Sequence, residues 1–120
     1  MPSDADDLEL LRREFNADDG SFLLQLRVDL HWDRQALSRL EQAMRRTCAR
    51  LEPRDHLDRW LAEGYWYLSD FVPGHTSHPD FPRPEPAEYY KAAIRRLRDL
   101  QNWFVTGRSP YLDSHQWPDL

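Results

Sequence analysis

We predict an all-α fold from three observations on this 120-residue sequence. Apolar residues recur at helical spacing in three long stretches, at residues 33–52, 56–72 and 87–106. Proline or glycine follows each stretch, and only one short segment alternates apolar and polar residues as a strand does. The pattern therefore predicts one domain, residues 1–120, built as a small antiparallel helical bundle with three long helices and one or two short N-terminal helices.

The first twenty residues are acidic. Residues 1–19 hold seven acidic side chains and two arginines, whereas the rest of the chain balances fourteen acidic residues against fourteen basic ones. Ser3 with the aspartates after it is typical of a helix start, because a hydroxyl caps backbone N–H groups and negative charge favours the positive end of the helix dipole. We predict a short helix over residues 4–15. The alternative is an acidic, partly disordered arm over residues 1–20.

Residues 22–32 fit two different structures. From Leu24 to Trp32 the alternation of apolar and polar residues is unbroken, which indicates a single strand. A helix here would have to be buried almost all round, but a lone strand would leave its backbone N–H and C=O groups unpaired. We therefore favour the helix, and the strand alternative predicts that two copies of the chain pair across a twofold axis.

The clearest element follows at once. Asp33 is a good N-terminal cap, and Pro53 stops the helix after Glu52. One face carries a narrow apolar stripe of Leu37, Leu40, Met44, Cys48 and Leu51. On that stripe Cys48 is expected to act as a small hydrophobic residue and not as a nucleophile.

The segment over residues 73–86 contains five prolines and no regular periodicity. It is predicted to be an ordered crossover loop, stiffened by its prolines. The last helix is predicted over residues 87–106, because Pro86 suits a helix start and Gly107 a helix end.

Composition argues against several classes of protein. A nucleic-acid binder needs a basic excess to neutralise phosphates, and this chain has a net charge of −5. No apolar run approaches the length of a membrane span, and the acidic start does not resemble a signal peptide. A single cysteine permits no internal disulfide, so we expect a cytoplasmic protein.

Signatures of catalysis are missing from the sequence. It contains no phosphate-binding glycine loop and no nucleophile elbow, so an enzyme is the less favoured interpretation and no cofactor is predicted. The only cluster with ligand-like spacing is His75, His78 and Asp80. It could begin a zinc site if a further ligand came from elsewhere, such as His31 or His115, but the same residues are typical of a hydrogen-bonded turn.

Trp66 is the residue that bears most directly on function. The apolar face of the helix over residues 56–72 is predicted to contain Leu57, Trp60, Leu61, Gly64, Tyr65, Leu68, Phe71 and Val72. Trp66 lies on the opposite, polar side with Arg59, Glu63 and Asp70, and Tyr67 flanks it. A large aromatic residue in that position is either covered by the proline-rich loop and the C-terminal tail or left for a partner.

These observations favour a small protein-interaction module of the adaptor, antitoxin or immunity kind. Its binding surface would comprise Trp66, Tyr67, Arg59, Glu63 and Asp70, with another protein or a second copy of the chain as partner. One alternative is a domain that holds a flat small molecule in a cleft between its aromatic helices. A second alternative is a metal-binding protein that uses the histidine-containing loop.

Overall fold

The computed structural model describes residues 2–111 and 116–120, and five α-helices make up its regular secondary structure. They are α1 (Asp4–Phe15), α2 (Phe22–Val28), α3 (Arg34–Leu51), α4 (Arg59–Thr76) and α5 (Ala87–Thr106). The described residues form no strand, so the all-α prediction is confirmed. The main helix contacts join α4 to α5, α1 to α3 and α3 to α5, as in a bundle around one core.

The acidic segment forms the predicted helix α1 and docks on the bundle. Ser3 and Asp6 make a reciprocal capping box at its start. Asp7 is buried, and its carboxylate accepts hydrogen bonds from the guanidinium groups of Arg46, at 2.9 Å, and Arg50. Residues 4–15 thus form a helix in the structure, and the ion pairs of Asp7 tie that helix to α3.

The strand alternative for residues 22–32 is also wrong, since α2 occupies residues 22–28. The Ser21 hydroxyl caps the helix by accepting the N–H of Leu24 at 3.1 Å. Its buried side chains lie on one helical face, and they are Phe22, Leu23 and Leu26. Val28, which strand alternation would bury, is 65% exposed. Hydrogen bonds within the helix, together with the Ser21 cap and the Glu14 carboxylate that accepts the N–H of Phe22, satisfy backbone groups that a lone strand would leave unpaired.

Helix α3 agrees with its sequence pattern. The Asp33 carboxylate caps it by accepting the N–H of Ala36 at 3.1 Å. The apolar stripe enters the core, with Leu37, Leu40 and Met44 fully buried. Burial of such side chains is the main contribution that holds α3 in the bundle.

Helix α4 begins and ends later than the sequence predicts. It starts at Arg59, and it continues through Pro73 to Thr76, so the proline-rich segment without helix is residues 77–86 and not 73–86. Proline removes one helical hydrogen bond. Here that loss is offset because Val72 and Thr76 are buried and the Thr76 hydroxyl donates to the Val72 carbonyl at 2.7 Å.

Helix α5 has the bounds predicted from the sequence. Gly107 adopts a left-handed conformation with φ of +72° and donates its N–H to the carbonyl of Trp103, which closes the last turn. The segment over residues 116–120 returns to the bundle, where the ring of Trp117 stacks on that of Trp103 with centroids 5.7 Å apart. Leu120 is also buried, and its backbone oxygen accepts a hydrogen bond from Arg34, the first residue of α3, at 2.8 Å.

Among the described residues, no helix has the length and apolar character needed to cross a lipid bilayer.

Candidate functional site

Trp66 lies on the solvent-exposed side of α4. Its side chain is 55% exposed, and Arg59, Glu63 and Asp70 are exposed on the same helical stripe. We call these four residues the outer face of α4. The opposite face packs into the core through Leu61, Gly64, Tyr65, Leu68 and Val72.

The charged residues of the outer face have no partners within the described part of the chain. Arg59, Glu63 and Asp70 form no ion pair there, whereas other acidic residues, including Asp7 and Glu41, are paired with arginines. The charged groups around Trp66 are therefore not paired with other described residues.

The C-terminal segment covers other aromatic residues and leaves Trp66 exposed. Trp117 lies against Trp103, and the guanidinium groups of Arg45 and Arg96 stand 5.2 and 5.0 Å from its ring centroid. Residues 112–115 of the same tail lie outside the described residues. Within the described residues, the C-terminal segment thus covers part of the aromatic surface of the bundle but does not cover Trp66.

Tyr67 points towards α2 and does not lie on the outer face. It is half-buried, its ring stacks on Phe71 with centroids 5.2 Å apart, and its hydroxyl accepts a hydrogen bond from Arg27 at 2.9 Å. The structure therefore groups Trp66 with Arg59, Glu63 and Asp70 but separates Tyr67 from that set.

Tyr67 instead lines a groove formed by α1, α2 and α4, with a volume of about 390 Å³. We call it the three-helix groove. Its lining includes the aromatic side chains of Phe15, Trp60 and Tyr67, the guanidinium groups of Arg12 and Arg27, and the carboxylate of Glu63. Glu63 thus borders both the groove and the outer face.

The two arginines of the groove are held by aromatic rings. The guanidinium carbon of Arg12 lies 4.1 Å from the ring centroid of Trp60, and that of Arg27 lies 5.7 Å from the ring centroid of Tyr67. Neither arginine forms an ion pair with a described residue. Sequence reasoning missed this site because its residues come from three helices and share no local pattern.

The histidine cluster does not converge on a common point. The ring of His75 stacks on Phe71, and its Nε2 lies 3.0 Å from the carbonyl oxygen of Leu26. His78 and Asp80 are exposed, and Nδ1 of His78 accepts the backbone N–H of Asp80. No group of three or more His, Cys, Asp or Glu in the described residues has an arrangement that could hold a metal ion, and His115 lies outside those residues. The geometry gives the metal-binding alternative no support.

Cys48 is buried in the core, where its place on the apolar stripe predicts it. Burial raises the pKa of its thiol to about 12, so the nucleophilic thiolate is not populated at neutral pH. The sulfur lies 3.8 Å from the Tyr65 hydroxyl and 3.5 Å from the carbonyl oxygen of Leu100.

The buried ionisable groups Glu14, Glu41 and Arg96 were not predicted from the sequence. The Glu14 carboxylate accepts the backbone N–H of Phe22, at 3.0 Å from one oxygen and 3.2 Å from the other, and so caps α2 from α1. Burial raises the pKa of Glu14 to about 7, although hydrogen bonds from the backbone at Phe22 and Leu23 act in the opposite direction. Arg96 of α5 donates to the buried carboxylate of Glu41 in α3 at 2.7 Å.

Comparison of the chain with models of protein families, with curated proteins and with solved structures found no match. Its function is therefore inferred from the outer face of α4 and from the three-helix groove beside it.

Proposed function

We propose that this chain is a small interaction module that binds a partner protein through the outer face of α4. The observation that supports this most strongly is the 55% exposure of Trp66 in the middle of a well-packed helix. Tryptophan is enriched at the centres of protein interfaces, where its large ring fills a pocket of the partner. An adaptor, or a neutraliser of a partner enzyme of the antitoxin or immunity kind, uses a surface of this type.

Insertion of Trp66 into a pocket of the partner would favour binding. Covering the exposed half of an indole contributes roughly 2 kcal/mol at about 25 cal/mol per Å² of apolar surface. The surrounding charged residues would then form the rim that excludes water from this contact. We therefore assign the centre of the interface to Trp66 and its rim to Arg59, Glu63 and Asp70.

Charge on the outer face defines the chemistry of the partner. Glu63 precedes Trp66 by one helical turn and Asp70 follows it by one, and neither carboxylate is paired with a described residue. A partner with an apolar pocket bordered by lysine or arginine side chains would complement this arrangement. A second copy of the chain is disfavoured as the partner, because its outer face carries the same excess of negative charge and the whole chain has a net charge of −5.

Affinity capture from native extract followed by reconstitution with the purified partner tests the proposal. We expect a partner with a basic surface patch to bind the unaltered chain, and Trp66→Ala to weaken binding by about thirtyfold while circular dichroism stays unchanged. Val105→Ala is the matched control, because Val105 is 59% exposed on α5, outside the proposed interface. It should leave binding intact.

Two further measurements can contradict the proposal. Glu63→Gln combined with Asp70→Asn should weaken binding and reduce its dependence on salt, because both carboxylates are expected to face basic side chains. If the Trp66→Ala chain bound the partner as tightly as the unaltered chain, the assignment of the outer face as the interface would be wrong. Light scattering that showed dimers dependent on Trp66 would replace the partner protein with a second copy of the chain.

A second candidate function, small-molecule binding, is favoured by one specific observation, the presence of the three-helix groove with its aromatic lining.

A further inference from the structure

We propose that the three-helix groove binds a small aromatic carboxylate, with the ring of the ligand on the aromatic lining and its carboxylate against Arg12 and Arg27. This inference rests on the second candidate function. It is independent of partner binding by Trp66, because Trp66 does not line the groove.

The construction of the groove suits a small ligand. Its volume of about 390 Å³ lies within the range of about 300–1,000 Å³ that is usual for ligand pockets. Three helices contribute to its walls, so the packing of the bundle positions the aromatic lining. Arg12 and Arg27 are exposed, and their contacts with the rings of Trp60 and Tyr67 place them at the groove. Phe15 of α1 and Gly64 of α4, which are in close contact, both line it. The groove therefore largely exists before a ligand enters.

The charge in the groove favours an anion. Arg12 and Arg27 contribute two positive charges, and Glu63 is the only acidic residue in the lining, so the groove has an excess of one positive charge. This excess contrasts with the net charge of −5 of the whole chain. Elsewhere in the described structure, Arg46, Arg50 and Arg96 each form an ion pair with a buried carboxylate, that of Asp7 or Glu41, whereas Arg12 and Arg27 form none.

Both guanidinium groups retain hydrogen-bond donors for a carboxylate. Arginine has five N–H donors in its plane, and stacking on a ring leaves those at its edge accessible. Arg27 uses one nitrogen on the hydroxyl of Tyr67, and Arg12 makes no side-chain hydrogen bond to the described residues beyond its stacking on Trp60. Arginine pairs with carboxylates through parallel hydrogen bonds, which is the contact we assign to the anionic end of the ligand.

The aromatic lining favours a flat ring over a bare anion. The side chains of Phe15, Trp60 and Tyr67 present planar apolar surfaces, against which an aromatic ring packs in stacked or edge-to-face contact. An inorganic anion would pair with the arginines but would leave this apolar surface in contact with water. The groove is therefore expected to bind a ligand that has both an aromatic ring and a carboxylate.

Calorimetry on the full chain with three probes tests the proposal. The probes are 1-naphthoate, the neutral 1-naphthamide and inorganic phosphate. We expect saturable binding of naphthoate at one site, with a shift of the Trp60 indole N–H resonance in the ¹H–¹⁵N spectrum. The amide and phosphate should each bind at least about tenfold more weakly, because one lacks the charge and the other lacks the ring.

Arginine variants give the second part of the test. Arg12→Gln and Arg27→Gln should each weaken naphthoate binding about tenfold. Arg98→Gln, at an exposed position of α5, should leave it unchanged, and so should Trp66→Ala. The proposal is overturned if naphthoate shows no saturable binding, if naphthamide or phosphate binds equally well, or if both groove variants keep the original affinity. Loss of partner capture by Trp66→Ala with intact naphthoate binding separates this site from the outer face.

Discussion

The aromatic ring of Phe15, the last residue of α1, packs against the backbone of Gly64 in the middle of α4. A Cβ atom built on Gly64 would lie 2.1 to 2.4 Å from three carbon atoms of that ring, closer than any non-bonded contact allows. The absence of a side chain at Gly64 therefore sets the separation between α1 and α4. The same contact lies beside the three-helix groove.

Gly64→Ala is expected to destabilise the protein by about 1–3 kcal/mol, because the added methyl group must displace the Phe15 ring from a packed site. Urea denaturation measures this change in the free energy of unfolding. Gly74→Ala is the matched control in the same helix, since a Cβ at Gly74 meets no atom within 4 Å. It should be neutral or stabilise by up to about 1 kcal/mol through helix propensity. Equal stability of the two variants would show that Phe15 is not held against Gly64.

Loss of one member of the buried Glu41–Arg96 ion pair is expected to be costly. The exposed fractions of the two side chains are 3% and 7%, so Glu41→Ala leaves an arginine charge buried without its carboxylate. We expect a loss of about 3–5 kcal/mol in the free energy of unfolding, measured by chemical denaturation. Replacement of both residues by methionine should recover most of that loss, because the buried charge of Arg96 is removed together with its partner. Arg45, which also pairs with Glu41, is 26% exposed and can be hydrated in the double variant.

The exposed Arg34–Glu85 pair is the control for this prediction, since its side chains are 47% and 35% exposed. Glu85→Ala should change the free energy of unfolding by less than about 1 kcal/mol. A similar cost for Glu41→Ala and Glu85→Ala would contradict the assignment of a buried charge pair between α3 and α5.

Stability should depend on pH through Glu14. Burial raises its pKa in the folded protein from an ordinary value of 4.5 to about 7, so the folded state holds this proton more tightly than the unfolded state does. The resulting stabilisation is complete below pH 4.5, and it is lost as the pH rises through 7. At about 1.4 kcal/mol per pKa unit, the loss between pH 4 and pH 8 is roughly 3 kcal/mol.

Glu14→Gln removes this titration while keeping an oxygen that can accept the N–H of Phe22. The difference in free energy of unfolding between the variant and the original chain, measured by urea denaturation from pH 4 to pH 8, should move in favour of the variant as the pH rises. Taking the difference cancels the contributions that other titrating groups, present in both proteins, make to the free energy of unfolding. A difference that stays constant, or that moves in favour of Glu14, would show that its pKa is not raised.

Trp66 and Trp117 should respond differently to the same substitution. Trp117→Ala removes the stack on Trp103 and the contacts with two guanidinium groups, so we expect a loss of about 1–3 kcal/mol in thermal or chemical denaturation. Trp66→Ala should change stability by less than about 0.5 kcal/mol, because its ring is largely exposed. If Trp66→Ala were the more destabilising substitution, the ring would be part of the core and the outer face of α4 could not serve as an interface.

The sequence could predict much of the fold because helix signals are local. Ser3 and Asp33 cap helices as expected, Gly107 ends α5, and the apolar stripe of α3 enters the core. Each of these features depends on residues within about one or two helical turns of one another. Pro73 is the exception, because the break that it predicts locally is offset by burial of the turn that follows.

One candidate site could be predicted from local sequence signals, and the other could not. The place of Trp66 among Arg59, Glu63 and Asp70 follows from its angle on one helix, so the sequence alone indicated the outer face of α4. Its exposure depends in addition on which segments pack over that face. Tyr67 was assigned to that surface as well, but its contact with Arg27 comes from a residue 40 positions away on another helix. Such a contact leaves no periodic signal, and the three-helix groove could not be predicted for the same reason.

By itself, then, the sequence determined where the three long helices lie, which of their faces are apolar and on which side of its helix Trp66 lies, because periodicity and capping act over a few neighbouring residues. That no described segment covers Trp66 was decided by the tertiary structure. Only the tertiary structure decided where Glu14 and Arg96 find partners, that Phe15 meets Gly64 and that two arginines border one aromatic groove. Those contacts depend on how the helices pack against one another. That arrangement is set by the shape of the whole core and not by any local stretch of residues.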